Sequence, residues 1–315
     1  SDVCSSDLTP LRALTPEGLT EEVVLLPSRK PTVPIAAGIQ DFAGNDEFTG
    51  ENPDEQASIV YYLKKRHVVG DFKIEIFDAQ GKKLTTLPAG KRRGLNRVGW
   101  AMRMPPPKLP AATSLVISGG NSFQGPQVPT GTYTVRLTKA DKVYEQKLEL
   151  KPDPRSTHTD ADRKTQFEAA VSLYDSLADL TYVAETLADV IDQATARKAK
   201  LTAGDATKVD AFINKVETLR KTLVATGPGG WLSGEEQLRE KLAAAYGGIN
   251  GFEGRPTASQ LAAKDKLQKE LASAAAALEA IGSNDVPALN KVLAGKKLDA
   301  VKVQTRGEWQ AKQKS

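Results

Sequence analysis

The spacing of apolar positions changes once along the chain, near Pro154. Before it, residues 59–63 (Ile-Val-Tyr-Tyr-Leu) make a β-rich apolar run, and residues 72–77 (Phe-Lys-Ile-Glu-Ile-Phe) alternate apolar and polar for most of their length, as a half-buried strand does. Residues 78–81 (Asp-Ala-Gln-Gly) supply a hairpin turn, and Leu84 to Leu87 is the returning strand. Residues 94–100 (Gly-Leu-Asn-Arg-Val-Gly-Trp) predict another strand, with Leu95 and Val98 apolar, Trp100 at its end and Pro105 to Pro107 stopping it. Residues 110–129 read as a loop with one short apolar run, Leu115 to Ile117. Residues 132–137 and 143–150 pair across a turn at Ala140 and Asp141. Six or seven short strands at this spacing predict a cysteine-free immunoglobulin- or fibronectin-like sandwich over residues 57–152.

Beyond Pro154 the period becomes helical. Phe167, Val171, Tyr174, Leu177, Leu180 and Val183 step by three and four, an apolar stripe that continues through Ile191 on a helix of about 40 residues. Thr159 or Asp160 caps it, and Gly204 with Asp205 breaks it. A second helix carries Val209, Phe212, Val216 and Leu223 and ends before Gly227. A shorter third follows Ser233, with Glu235 and Glu236 in its first turn; Thr257 caps a fourth, and residues 287–293 add a short one. Together these predict an antiparallel helical bundle over residues 156–302, and residues 303–315 read as a polar, frayed tail. The stripe would also serve a dimerising coiled coil, but its drift from strict heptads favours a bundle within one chain. The fold class is α+β and multidomain, a sandwich followed by a bundle.

The first part of the chain carries little pattern. Val23 to Leu26 suits one short strand, but Pro27, Pro31 and Pro34 follow, each removing a backbone donor. Residues 39–56 have a loop composition, and so long a stretch without elements is unusual inside a compact domain. Residues 9–56 therefore read as an irregular linker to something outside the chain. Residues 1–8 (Ser-Asp-Val-Cys-Ser-Ser-Asp-Leu) look like a translated sequencing-adapter oligonucleotide. On that reading Cys4 drops out, the natural segment holds no cysteine and hence no disulfide, and any signal peptide lies upstream.

Length and composition narrow the classes. A chain of 315 residues suggests two domains, and 40% hydrophobic with 26% charged residues is globular. No apolar run approaches the roughly 20 residues of a spanning helix, so no membrane span is expected. Lys and Arg number 43 against 39 Asp and Glu, a net +4 that becomes +6 once Asp2 and Asp7 are set aside. Basic residues cluster only at residues 64–66 and 91–93. Each cluster flanks a predicted strand and reads as a solvated strand end, so no nucleic-acid partner is expected.

Candidate chemistry is sparse. The two histidines, His67 and His158, lie in different segments and in no metal-ligand spacing. There is neither a Gly-x-Ser-x-Gly elbow nor a phosphate-cradling glycine loop. Oxygen ligands crowd in one place, the loop holding Asp41, Asn45, Asp46, Glu47, Glu51 and Asp54. A hard cation suits it, which makes Asp41, Asp46, Glu47 and Glu51 a calcium candidate, although the spacing fits no EF-hand and a solvated loop is the plainer reading. Catalytic carboxylates are the third use of that loop, since glycoside hydrolysis needs two of them across one sugar bond. No other cofactor is expected. Trp100, Trp231 and Trp309 are residues that can stack on sugars; Trp100 reads as core and Trp231 as a packing plug.

Taken in order, residues 9–14 (Thr-Pro-Leu-Arg-Ala-Leu), the proline-rich 27–34, 57–63, 72–81, 94–100, 129–137 (Pro-Thr-Gly-Thr-Tyr-Thr-Val-Arg-Leu) and 152–155 resemble the C-terminal part of large bacterial BNR-repeat, sortilin-type β-propeller proteins, often labelled glycosyl-hydrolase-like. The resemblance runs from Thr9 to about Val301, with residues 94–100 and 129–137 its most specific pieces. It implies an N-terminal propeller missing here, then the sandwich and the bundle, in an exported protein of the periplasm or the extracellular space. The missing propeller is the implied partner and carries any ligand groove. No Ser-x-Asp-x-Gly-x-x-Trp box occurs in this chain, so no catalytic residue is carried over. The function this implies is a non-catalytic accessory region that braces the propeller and offers an interaction surface. The alternatives are part of a sialidase-like glycoside hydrolase whose active site lies in the propeller, or a carbohydrate- or protein-binding module.

Overall fold

The computed structural model of the chain describes residues 8–35, 55–113, 120–227 and 236–313. The chain mixes the two kinds of secondary structure, with the strands and a short leading helix ahead of the long helices. It divides into two compact units. One takes the described residues through Pro105 with Gly125–Phe167 and Phe252–Arg255; the other takes Pro106–Gln124, Glu168–Gly251 and the described residues from Pro256 onward.

The sheet unit opens with a short helix α1 (Thr9–Ala13) and holds strands β1 (Val23–Leu26), β2 (Thr32–Val33), β3 (Ala57–Leu63), β4 (Phe72–Phe77), β5 (Lys83–Leu87), β6 (Gly94–Trp100), β7 (Gly131–Lys139) and β8 (Lys142–Pro152). They form two sheets, β1-β3-β6 and β2-β8-β7-β4-β5. Every pairing is antiparallel except that of β2 with β8. Alternation explains the core. Ile74 and Ile76 of β4, Val135 and Leu137 of β7, and Ile59 and Tyr61 of β3 join one buried cluster contributed by both sheets. The expected turns form. Asp78 accepts from the backbone of Gln80 and Lys82, and Gly81 takes φ 79°. Lys139 pairs with Lys142 across a two-residue turn in which Ala140 adopts φ 54°, the left-handed backbone such tight hairpins need. Gly125 is required for a different reason: a Cβ there would sit 1.7 Å from the Met104 carbonyl oxygen.

Residues 9–35 are more ordered than a linker. Val23–Leu26 forms the expected strand and pairs with β3 from Val23 opposite Leu63 to Leu26 opposite Val60. The chain then crosses to the other sheet, where Thr32 and Val33 lie parallel to Lys151 and Pro152. Pro27 and Pro31 sit in the crossover, where a missing backbone donor costs nothing. Residues 1–7, the acidic loop from Asp41 to Asp54, the run Leu115 to Ile117, Trp231, Ser233 and Glu235 lie outside the described residues.

The helical unit is built on α2 (Asp160–Lys198), whose residues through Phe167 group with the sheet unit, and on α3 (Ala203–Leu223), α4 (Leu238–Asn250), α5 (Ala258–Ala280), α6 (Val286–Ala294) and α7 (Arg306–Lys312). Leu177, Leu180, Val216, Leu242, Leu271 and Leu293 are among its buried cluster. Thr257 caps α5 as expected, with a reciprocal bond from Gln260. A single π-turn, Ile281–Asp285, joins α5 to α6 just ahead of Pro287, whose ring would clash with the carbonyl of a regular turn.

Three boundaries differ from the sequence pattern. Gly204 does not break a helix; it lies in the first turn of α3, behind Thr202. The third helix starts at Leu238, with Glu236 ahead of it rather than in its first turn, because Gln237 and Glu240 form a reciprocal cap. Through Gln313 the tail is not frayed. Thr305 and Glu308 cap α7, and Trp309 is buried, edge-on to Tyr182 at 5.7 Å with its Nε1 donating to Glu185 at 2.6 Å. A reading from polarity alone misses it, because one large aromatic residue anchors an otherwise charged segment.

Residues 106–113 also belong with the helices. Thr181 donates to the Lys108 carbonyl at 3.0 Å, Arg239 to Pro110 at 2.9 Å, and the Thr113 amide to Ala225 at 3.1 Å.

Candidate functional site

A concavity among the described residues lies in the sheet unit, where the chain crosses from β1 to β2. It is a groove of about 290 Å³. Leu26, Ile59, Val135 and Leu148 give it apolar walls drawn from both sheets, and Lys30, Lys147 and Glu149 stand at its polar rim. It exists because the crossover at residues 27–31 leaves the seam between the sheets incompletely filled.

Beside the groove runs the outer edge of β8. The Lys151 amide points outward, donating to the Pro31 carbonyl at 2.9 Å. The direction of backbone groups alternates along a strand, so Val143, Glu145, Lys147 and Glu149 also present their N–H and C=O outward. Over Lys142–Leu150 that edge has no strand partner among the described residues. An open edge beside an apolar groove accepts an extended segment as an added strand, with alternate side chains entering the groove.

The ionisable groups here suit binding rather than proton transfer. Glu149 pairs with Lys30, whose hydrogen bond holds the carboxyl below its usual range. The same direction holds at the two ends of β8: Arg155 draws Asp153 down to about 2, and Lys139, with Lys142, draws Glu22 to about 2. Carboxyls held this low stay ionised and have no proton to give at neutral pH, whereas a glycosidase acid is raised.

The residues singled out in the sequence scatter. His67 stacks on Phe72 at 5.0 Å near the start of β4, and its Nε2 lies 3.0 Å from the Gly70 carbonyl. His158 follows β8, at the other end of the sheets, edge-on to Phe252. Tyr61 and Trp100 are fully buried and Tyr62 half-buried, so the first two present no ring to a sugar. The Asp41, Asp46, Glu47 and Glu51 calcium candidate falls outside the described residues, and no cluster of metal-ligating side chains occurs among the described ones. No helix among them is long and apolar enough to cross a membrane. The groove and the open edge were missed because both depend on a pairing between residues 32–33 and 151–152, distant in sequence and only two residues long.

No protein-family model matches the chain, and no curated protein matches it. Among solved structures, CopC from Methylosinus trichosporium OB3b aligns with 44% of this chain and 99% of its own at 16% identity. The TM-score is 0.21, too low for the two to be taken as sharing a fold.

Proposed function

We propose that the chain is a non-catalytic accessory region of an exported BNR/sortilin-like β-propeller protein of the periplasm or extracellular space. Its parts are an immunoglobulin- or fibronectin-like sandwich and an antiparallel helical bundle; the sandwich braces the propeller and offers an interaction surface. Two features support the fold. The orders β1-β3-β6 and β2-β8-β7-β4-β5 suit a sandwich whose first strand is shared between sheets. Tyr133, near the start of β7, donates its hydroxyl to the Pro129 carbonyl at 2.6 Å, the corner such sandwiches use.

The observation that carries the bracing role is the double anchoring of the chain's first part. β1 is bonded to one sheet and β2 to the other, so a domain attached upstream pulls on two ladders at once. The groove and the open edge of β8 are the surface available to an extended partner segment.

The test is to express the chain with its upstream coding sequence, with and without residues 9–315. Loss of these residues lowers the unfolding midpoint of the upstream domain and leaves its ligand binding or turnover unchanged. Loss of turnover at an unchanged midpoint assigns this region to the chemistry and contradicts the proposal.

A further inference from the structure

One end of the sheet unit gathers the β3–β4, β5–β6 and β7–β8 connections, because Leu63 pairs with Gly94 and Phe72 with Lys139. The two basic clusters, which in sequence look like separate solvated strand ends, are brought together there. The His67 amide, just past Lys64, Lys65 and Arg66, donates to the carbonyl of Lys91 at 3.0 Å, and Lys91 opens the second triplet with Arg92 and Arg93. All six side chains are exposed.

At the tip of the first loop stand Val68 and Val69, 77% and 82% exposed. Nothing about this exposure is slack. His67 is buried on Phe72, its ring closes the turn against Gly70, and Gly70 takes φ 91°. The second loop is tied down as firmly. Tyr61 donates from the core to the Gly90 carbonyl at 2.6 Å, and Asn96 donates to Arg92 at 2.8 Å. Two valines are therefore held in solvent on a fixed turn that follows one basic triplet and is bonded to the start of the other.

The acidic residues at this end do not cancel the charge. Glu22 is taken by Lys139 and Lys142, which leaves Glu21, Asp71 and Asp141 against the two triplets. Solvated strand ends would account for the cations but not for the valines. A soluble polyanion would likewise use the cations alone.

The geometry points to an anionic lipid bilayer as the partner of this end. Val68 and Val69 enter the headgroup region, to a depth on the order of 5–10 Å, while the lysines and arginines meet lipid phosphates. This site is separate from the groove and does not depend on an upstream propeller.

The test is co-sedimentation of the full chain with vesicles of phosphatidylglycerol and phosphatidylcholine in equal parts, against phosphatidylcholine alone. Binding is expected only to the anionic vesicles, and it is lost as salt approaches about 1 M and the screening length falls to about 3 Å. The K65Q/R66Q/R92Q variant weakens binding by on the order of 100-fold, from roughly a factor of five per cation. The V68S/V69S variant weakens it roughly tenfold or more, because two apolar side chains no longer leave water. Both variants alter exposed side chains, and an unchanged unfolding midpoint verifies that they fold. Absence of binding to anionic vesicles at low salt overturns the inference. So does unchanged binding by V68S/V69S, or heparin binding as tight as vesicle binding and equally indifferent to the valines, which would identify a polyanion site.

Discussion

Replacing Trp100 by alanine destabilises the sheet unit by about 3–5 kcal/mol, the usual cost of emptying a large buried aromatic site. Trp100 ends β6, is 1% exposed, and meets Tyr133 of the opposite sheet edge-on at 5.5 Å. Its indole Nε1 donates to the Arg103 carbonyl at 3.0 Å, which fixes the chain as it leaves the sheet. The substitution thus removes apolar burial, an aromatic pair worth roughly 1 kcal/mol and a hydrogen bond worth about 1 kcal/mol, terms that overlap and do not simply add. Denaturant unfolding of the variant measures the loss. Trp100→Phe separates the terms: it keeps most of the ring packing and should lose only about 1–2 kcal/mol. An alanine variant within 1 kcal/mol of the parent would mean, to that order, that Trp100 is not the core residue described.

Glu240→Ala is expected to cost the helical unit a similar amount for an electrostatic reason. Glu240 is 2% exposed and Arg239 8%, and their side chains meet at 2.6 Å. Glu240 also accepts from the Gln237 amide at 3.0 Å, closing the cap of α4, while Arg239 donates to the Pro110 carbonyl. Removing the carboxylate leaves a buried guanidinium without its counter-charge and opens the cap, together about 3–5 kcal/mol. Glu240→Gln keeps the shape and part of the cap, so its deficit isolates the charge. Replacing both partners, Arg239→Met with Glu240→Leu, should recover much of the loss, since the pair's value lies in not leaving one charge alone. Equal destabilisation by the double and single variants would contradict that explanation.

Much of the architecture was legible from period and punctuation. The alternation of Phe72 to Phe77, the Asp78–Gly81 turn and the three- and four-residue steps of α2 are local signals, and each corresponds to an element of the structure. What failed was local signal overruled by one distant contact. Prolines made the stretch after Val23–Leu26 look structureless, yet Thr32–Val33 finds its partner more than a hundred residues away, and the expected strand Val23–Leu26 pairs more than thirty residues away. The charged tail hid α7, although the Thr305 to Glu308 spacing was a capping box in plain view and Trp309 its anchor. Residues 106–113 follow a strand in sequence but bond to helices, which no periodicity announces. The surface features were the least legible. The groove needs the crossover, and the union of Lys64–Arg66 with Lys91–Arg93 needs the register that sets His67 beside Lys91.

The bracing role depends on the first part of the chain being part of both sheets, and amide hydrogen exchange on the intact chain measures this directly. The ladder amides of Val23–Leu26 and the Lys151 amide bonded to Pro31 should be protected like those of β3 and β7, opening only with the whole sheet unit. Exchange of those amides at open-chain rates, with β3 and β7 still protected, would leave the segment a tether and contradict the double anchoring.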